Sequence, residues 1–185
     1  MNPLFVAALE TQRLCQEHGW PCCVIGGLAV QRWGEPRLTR DVDVSLLCGW
    51  GNEDTVVDAL LQCFGARRGD ARDFALRYRV VLLKAANGVP IDVALAAMPF
   101  EERAQERASG YAVGDGAVLR TCSAEDLVVF KVFAGRPHDW LDVEGIVTRQ
   151  AGRLARKQIL QELEPLLALK EDTDSMARLE KLLGA

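Results

Sequence analysis

Histidine is scarce in this chain, with two in 185 residues, and none of the six cysteines stands in a CxxC pair. A zinc site built from such ligands is therefore not expected. No uncharged run approaches the ~20 residues that a spanning helix requires. Met1 to Leu14 has neither a basic start nor a long apolar stretch, so a cytoplasmic protein with no membrane partner is expected. Internal repeats, low-complexity tracts and Pro/Ser-rich linkers are also lacking, which predicts elements packed on one another throughout. Positive charge is in deficit: 22 Lys+Arg stand against 26 Asp+Glu, a formal net charge of −4. That balance argues against a strongly basic nucleic-acid module.

What is present is ordinary in bulk and pointed in detail. Hydrophobic residues make up 49% and charged residues 26%, the proportions of a folded globular domain. Of the 22 cations 17 are Arg, whose planar fork suits phosphate and carboxylate, so net charge alone does not exclude a phosphate-bearing ligand. Cys22 and Cys23 lie within an apolar run and Cys48 ends another, which reads as buried thiols in a reducing compartment.

Residues 3 to 18 predict an amphipathic helix stopped at Gly19. CCVI at 22 to 25 predicts a short strand running directly into Gly26-Gly27 and a helical stretch, LAVQRW, that ends near Gly34. DVDVSLLC at 41 to 48 begins with the alternation of a half-buried strand, with Asp41, Asp43 and Ser45 sharing one face. Asn52 is placed to cap the next helix. ALRYRVVLLKA at 75 to 85 reads as a strand with Arg77 and Arg79 on one face and Lys84 on the other. Asn87-Gly88 is a tight-turn signal, and VPIDVALA at 89 to 96 is the returning strand, with Asp92 inside it. PFEERAQERA reads as a short charged helix, and a hairpin around Gly114-Asp115-Gly116 follows. Ser123 with Asp126 makes a helix start. Residues 140 to 183 are helical in pattern, broken near Gly152, Pro165 and Asp172. The fold class expected is α/β (α+β), a mixed sheet flanked by helices. Residues 1–122 would form the core and 123–185 a helical region completing the same compact unit.

Asp41 and Asp43, two apart on one strand, project to the same face about 6.7 Å apart. With Asp92 on a neighbouring strand they would form a mutually repelling acidic cluster, a poor structural device and a good oxygen-only ligand set for Mg²⁺. Two such ions would polarise a phosphoryl centre. Gly26-Gly27, between strand and helix, permits close backbone approach and leaves helix-start N–H groups for a phosphate.

The combined pattern, VIGGLAVQRWGEPRLTRDVDVSLL followed by VPIDVALA, resembles the nucleotidyltransferase superfamily with the DNA polymerase beta-like fold. DLVVFKVFAGRPHDWLDVEGI brings it closer to the abortive-infection toxin-like group, often called AbiEii/AbiGii-like. There a later helix carries Lys, then Arg and two Asp. The resemblance spans roughly residues 22 to 147. It implies that Asp41, Asp43 and Asp92 bind two Mg²⁺ ions, with Mn²⁺ as a substitute, and that Asp92 activates the acceptor hydroxyl. It further implies that Gly26 and Gly27 hold the triphosphate of an NTP such as ATP, and that Lys131 stabilises phosphate charge in the transition state. Arg37 and Thr39 would touch phosphate or brace the DxD strand. Asp139 and Asp142 would orient Lys131 or meet base and ribose, with Arg136 among the nucleotide contacts. The activity implied is transfer of an NMP to a hydroxyl of RNA, such as a tRNA end, or of a protein, in a toxin with a cognate antitoxin. The alternatives are nucleotidylation of an antibiotic and a catalytically quiet nucleotide-binding or antitoxin module of the same fold.

Each residue also has a plainer reading. Asp41 and Asp43 suit the solvent face of an edge strand, and Lys131 suits a snorkelling surface position. Arg136 suits an ion pair with Asp139 or Asp142. Arg67, Arg68 and Arg72 form a local basic loop beside Asp70 and Asp73.

Overall fold

A computed structural model describes residues 1–184 and divides the chain into two compact units. The first comprises Met1–Leu28 and Leu38–Cys122, and the second comprises Ala29–Arg37 and the chain from Ser123 onward.

The first unit holds the whole sheet. In chain order it contains α1 (Pro3–Glu17), β1 (Cys22–Ile25), the start of α2 (Gly26–Trp33), β2 (Val42–Leu47), α3 (Glu53–Cys63), β3 (Gly65–Ala66) and α4 (Ala71–Tyr78). There follow β4 (Val80–Lys84), β5 (Pro90–Ala96), α5 (Pro99–Arg107), β6 (Ser109–Gly114) and β7 (Ala117–Thr121). The seven strands lie in the order β3-β4-β5-β2-β1-β7-β6. The β2–β5 and β1–β7 pairs are parallel and the others antiparallel, so the sheet is mixed as expected.

Alternation sorts the central strands into two faces. Val42, Val44 and Leu46 of β2, Ile91, Val93 and Leu95 of β5, and Val81 and Leu83 of β4 point into one core. Ala7, Ala8 and Leu14 of α1, Val56, Val57 and Leu60 of α3, and Ala75 of α4 complete it. Asp43 and Ser45 of β2 and Asp92 and Ala94 of β5 occupy the other face. There Gln105 Nε2 of α5 donates to the Ser45 carbonyl at 3.0 Å.

One register runs across four strands. Ile25 is opposite Asp43, Asp43 opposite Asp92, and Asp92 opposite Leu82. The Arg67 N–H donates to the Leu82 carbonyl at 3.1 Å, which continues the β3–β4 ladder by one residue. Lateral neighbours in a sheet share a face. The row therefore reads Arg67, Leu82, Asp92, Asp43, Ile25.

Three sequence expectations are corrected. The strand expected over 75 to 85 begins at Val80, because 71–78 is α4. Ala71 and Ala75, four apart, are buried on one side of a run of good helix formers. Arg79 ends that helix at φ 55°. Its guanidinium donates to the carbonyls of Leu95 at 2.9 Å and Gly49 at 3.0 Å and pairs with Glu53, so it is not a solvated strand charge. Asn52 does not cap α3 with its side chain; its Nδ2 donates to the Cys48 carbonyl at 3.0 Å.

The third correction lies in the second unit, which holds α6 (Ala124–Ala134), α7 (Pro137–Gln150), α8 (Arg156–Lys170) and α9 (Asp174–Leu182). Ser123 starts α6 as expected, its Oγ accepting from the Asp126 N–H at 3.0 Å. Pro165 was expected to break the helical stretch, yet α8 runs through it. An interior proline disfavours a helix by about 3 kcal/mol. Ile159, Leu163, Leu166 and Leu167 are buried along α8, and each such side chain returns roughly 1.5–3 kcal/mol. The apolar face outweighs the proline. All six cysteines are free thiols and only Cys63 is exposed. No helix among the described residues is long and apolar enough to cross a membrane.

Pro165→Ala restores the missing N–H at an exposed helical position. It should raise stability to urea by about 1–2 kcal/mol, read from the midpoint at constant slope.

Candidate active site

The candidate residues fall into two groups, one in each unit. In the first, Asp41 directly precedes β2, Asp43 is its second residue, and Asp92 lies opposite Asp43 in the parallel ladder. Parallel pairing in register is what sets the two carboxylates side by side. Like charges directly opposite are destabilising, so such a pair needs compensation.

Two glycines make room for it. A Cβ on Gly26, at φ 59°, would run into the Asp43 carboxylate, and a Cβ on Gly27 would run into the Thr39 side chain. The glycine pair therefore lets β2 and the Thr39 segment approach the first turn of α2. Thr39 is buried, and its Oγ1 donates to Asp41 Oδ1 at 3.0 Å. Arg67 pairs with Asp92. Burial pushes the Asp92 carboxyl above its ordinary range; Arg67 opposes that and Asp41 adds to it. Asp92 and Asp41 thus feel each other electrostatically.

The donor chemistry fits a hard divalent cation, since all three groups are carboxylates on one sheet face. Among the described residues, no three His, Cys, Asp or Glu are gathered tightly enough to bind a metal ion. Asp92 is engaged by Arg67 and Asp41 by Thr39. The ligand types suit the ion.

In the second unit the remaining candidates form an alternating chain of charge. Arg37 donates to Asp142 through Nε at 2.6 Å and through a second guanidinium nitrogen at 2.9 Å. Lys131 Nζ lies 2.8 Å from Asp142 Oδ2 and 3.0 Å from Asp139 Oδ1. Arg136 Nε donates to Asp139 Oδ2 at 2.6 Å, and that carboxylate also receives the Arg136 N–H at the start of α7. Asp139 and Asp142 are one turn apart on α7, which turns both toward Lys131. Three cations alternate with two carboxylates: Arg37, Asp142, Lys131, Asp139, Arg136.

Lys131 is 6% exposed, so it does not snorkel. Its ammonium faces two carboxylates, and a cation so neutralised has little charge left for a phosphate. The exposed ends of the chain are Arg37 and Arg136. Burial alone would raise both aspartates, yet the hydrogen bonds from Arg136 and Lys131 at Asp139, and from Arg37 and Lys131 at Asp142, hold them below the usual carboxylate range. His138 lies 3.5 Å from Asp139 at the edge of the network.

Sequence reasoning missed Arg67. The loop was read as locally basic, while the signal that places Arg67 is the β3–β4 register, which a two-residue strand hardly announces.

No protein-family model and no curated protein matches this sequence. Solved structures do match its fold. An antigenic nucleotidyltransferase-like protein from Paracoccidioides brasiliensis is similar over 96% of this chain and 91% of its own, at 18% identity and a TM-score of 0.54. The solution structure of the antibiotic-resistance factor ANT(2'')-Ia is similar over 98% of this chain and 97% of its own, at 16% identity and a TM-score of 0.52. The fold is that of nucleotidyltransferase-like proteins.

The charge network yields a stability prediction. Lys131→Met should cost about 3 kcal/mol in urea unfolding, because it leaves two buried carboxylates short of a cation. The network's contribution is complete above the ordinary aspartate value of about 3.9 and is lost as pH falls through the lower folded-state values. Asp142→Asn should therefore flatten the decline of the urea midpoint as pH falls below about 4.

Proposed function

We propose that this protein is a divalent-cation-dependent nucleotidyltransferase that moves an NMP from an NTP onto a hydroxyl and releases pyrophosphate. The observation that carries the reading is the in-register pairing of Asp43 with Asp92, with Asp41 just ahead, on the sheet face opposite the apolar core. No structural need explains two opposed carboxylates there, and the nucleotidyltransferase-like fold supplies one chemical purpose.

Asp41 and Asp43 would hold the metal ions with Asp92 as third ligand, and bound Mg²⁺ would supply charge neutralisation at the phosphoryl centre. The first turn of α2, with Gly26 and Gly27, offers its N–H groups to the triphosphate. Thr39 holds Asp41 in place. Asp92 takes the proton of the acceptor hydroxyl as that oxygen attacks the α-phosphorus, and the bond to pyrophosphate breaks. Within the second unit, Arg37 and Arg136 are the exposed cations we assign to nucleotide contact, and Lys131 acts through Asp139 and Asp142 to fix both. In this reading residues 1–122 carry the chemistry and 123–185 the supporting helices.

For the acceptor, the motif resemblance to toxin-like nucleotidyltransferases favours an RNA end such as that of a tRNA, or a protein hydroxyl, with an antitoxin as partner. A specific observation favours a second acceptor, a small cationic antibiotic. Arginines that an RNA backbone could use near the basic loop meet acidic side chains instead: Arg68 pairs with Asp70, while Arg72 of α4 and Arg79 at its end pair with Asp54, Asp58 and Glu53 of α3. The fold match to an antibiotic-resistance factor lends support to the same acceptor.

Asp43→Asn should abolish label transfer from α-labelled NTP while leaving the thermal unfolding profile intact; an active, normally folded variant overturns the assignment. Incubation of the wild type with each labelled NTP, Mg²⁺, and either total RNA or an aminoglycoside panel identifies the acceptor by where the label goes. Acceptor binding that weakens steeply with salt marks RNA, and a shallow dependence marks the drug.

A further inference from the structure

The nucleotidyltransferase reading gives no role to the ion pair that one of its own acids makes, between Arg67 and Asp92. We propose that Arg67 is a latch that competes with the divalent cation for Asp92, so that the acidic cluster assembles only as the cation displaces the guanidinium. The proposal rests on the reading of Asp41, Asp43 and Asp92 as metal ligands and adds a residue to it that lies outside the motif.

The backbone puts Arg67 in place before its side chain does anything. Its N–H bond to the Leu82 carbonyl sets it in the same lateral row as Asp92 and Asp43, one strand beyond Leu82. An arginine is long enough to pass over one intervening side chain, and it does so to reach Asp92 Oδ1. Its neighbours in the loop are committed elsewhere. Arg68 makes two bonds to Asp70, at 2.8 and 2.9 Å, and Arg72 pairs with Asp54 and Asp58.

The pair is held but not entombed. The Arg67 and Asp92 side chains are 29% and 33% exposed, so water and a cation can reach both partners. Contrast Lys131, whose two carboxylates are 0% and 3% exposed at the side chain. An ion pair at intermediate exposure is weak enough for a divalent cation to displace and strong enough to measure. It also gives the cation-free protein a counter-charge for carboxylates that repel one another. Cation binding then carries the added work of releasing Arg67.

The test reads cation binding directly, without turnover. Mn²⁺ is titrated into the full-length protein with no nucleotide present, and free Mn²⁺ is followed by electron paramagnetic resonance for wild type, Arg67→Gln, Arg67→Lys and Asp43→Asn. Arg67→Gln should bind Mn²⁺ about three- to tenfold more tightly than wild type, the range that removal of a partly exposed competing pair allows. Arg67→Lys keeps the charge and should stay within about twofold of wild type. The cation-free Arg67→Gln protein should also melt at a lower temperature and recover more on Mn²⁺ addition than wild type does. Equal or weaker Mn²⁺ binding by Arg67→Gln overturns the latch while leaving the metal reading standing, provided Asp43→Asn has lost affinity. Should Arg67→Gln not fold, Arg67→Lys decides: tightening as large as that expected of Gln contradicts a charge latch. If wild type and Asp43→Asn bind Mn²⁺ alike, or neither binds it, the metal reading falls and the latch with it.

Discussion

Everything in the sheet-bearing unit is arranged around two carboxylates placed opposite one another by the parallel pairing of β2 with β5. Val42, Val44, Ile91 and Val93 fix that register, because a slip of one residue would turn this apolar set out of the core. The hydrophobic face therefore dictates the position of Asp43 and Asp92 on the opposite face. The core supplies the free energy, and the acids take the geometry it imposes. What surrounds them is accommodation: Gly26 clears space for Asp43, Thr39 holds Asp41, and Arg67 meets Asp92.

The second unit treats the same residue type in the opposite way. Asp139 and Asp142 are more buried than Asp92, yet their carboxyls are held below the ordinary range while that of Asp92 is raised. Burial pushes all three upward, so the sign is decided by the cations within reach. Asp139 and Asp142 share three of them, whereas Asp92 has Arg67 on one side and the charge of Asp41 on the other. Carboxylates so compensated have little attraction left for a further cation. Asp92, whose nearby cation is offset by the charge of Asp41, differs in this respect from Asp139 and Asp142.

Much of this was legible in the sequence where short-range rules suffice. CCVI running into Gly26-Gly27, the alternation of DVDVSLL and the Asn87-Gly88 turn each carry their own local signal, and the strands lie where those signals put them. The boundary between α4 and β4 was not legible, since ALRYRV alternates like a strand and only the burial of Ala71 and Ala75 reveals a helical face. Lys131 could be recognised as part of a motif, but its burial between two carboxylates depends on α7 packing against α6, a tertiary fact. Arg67 was hidden for the same kind of reason: a two-residue β3 sets its register.

The arginine excess takes on a different meaning once its partners are known. An RNA-tracking surface needs a run of guanidinium groups facing phosphate, and release of counterions from such a run is what gives affinity. Along the loop and helix from Arg67 to Arg79, Arg67, Arg68, Arg72 and Arg79 instead meet acidic side chains, and Arg77 lies over the Tyr78 ring. These pairs neutralise a stretch that looks basic in one dimension. Forked geometry rather than charge is what the arginines contribute there, for a lysine could not bind Asp70 through two nitrogens or span Leu95, Gly49 and Glu53 at once.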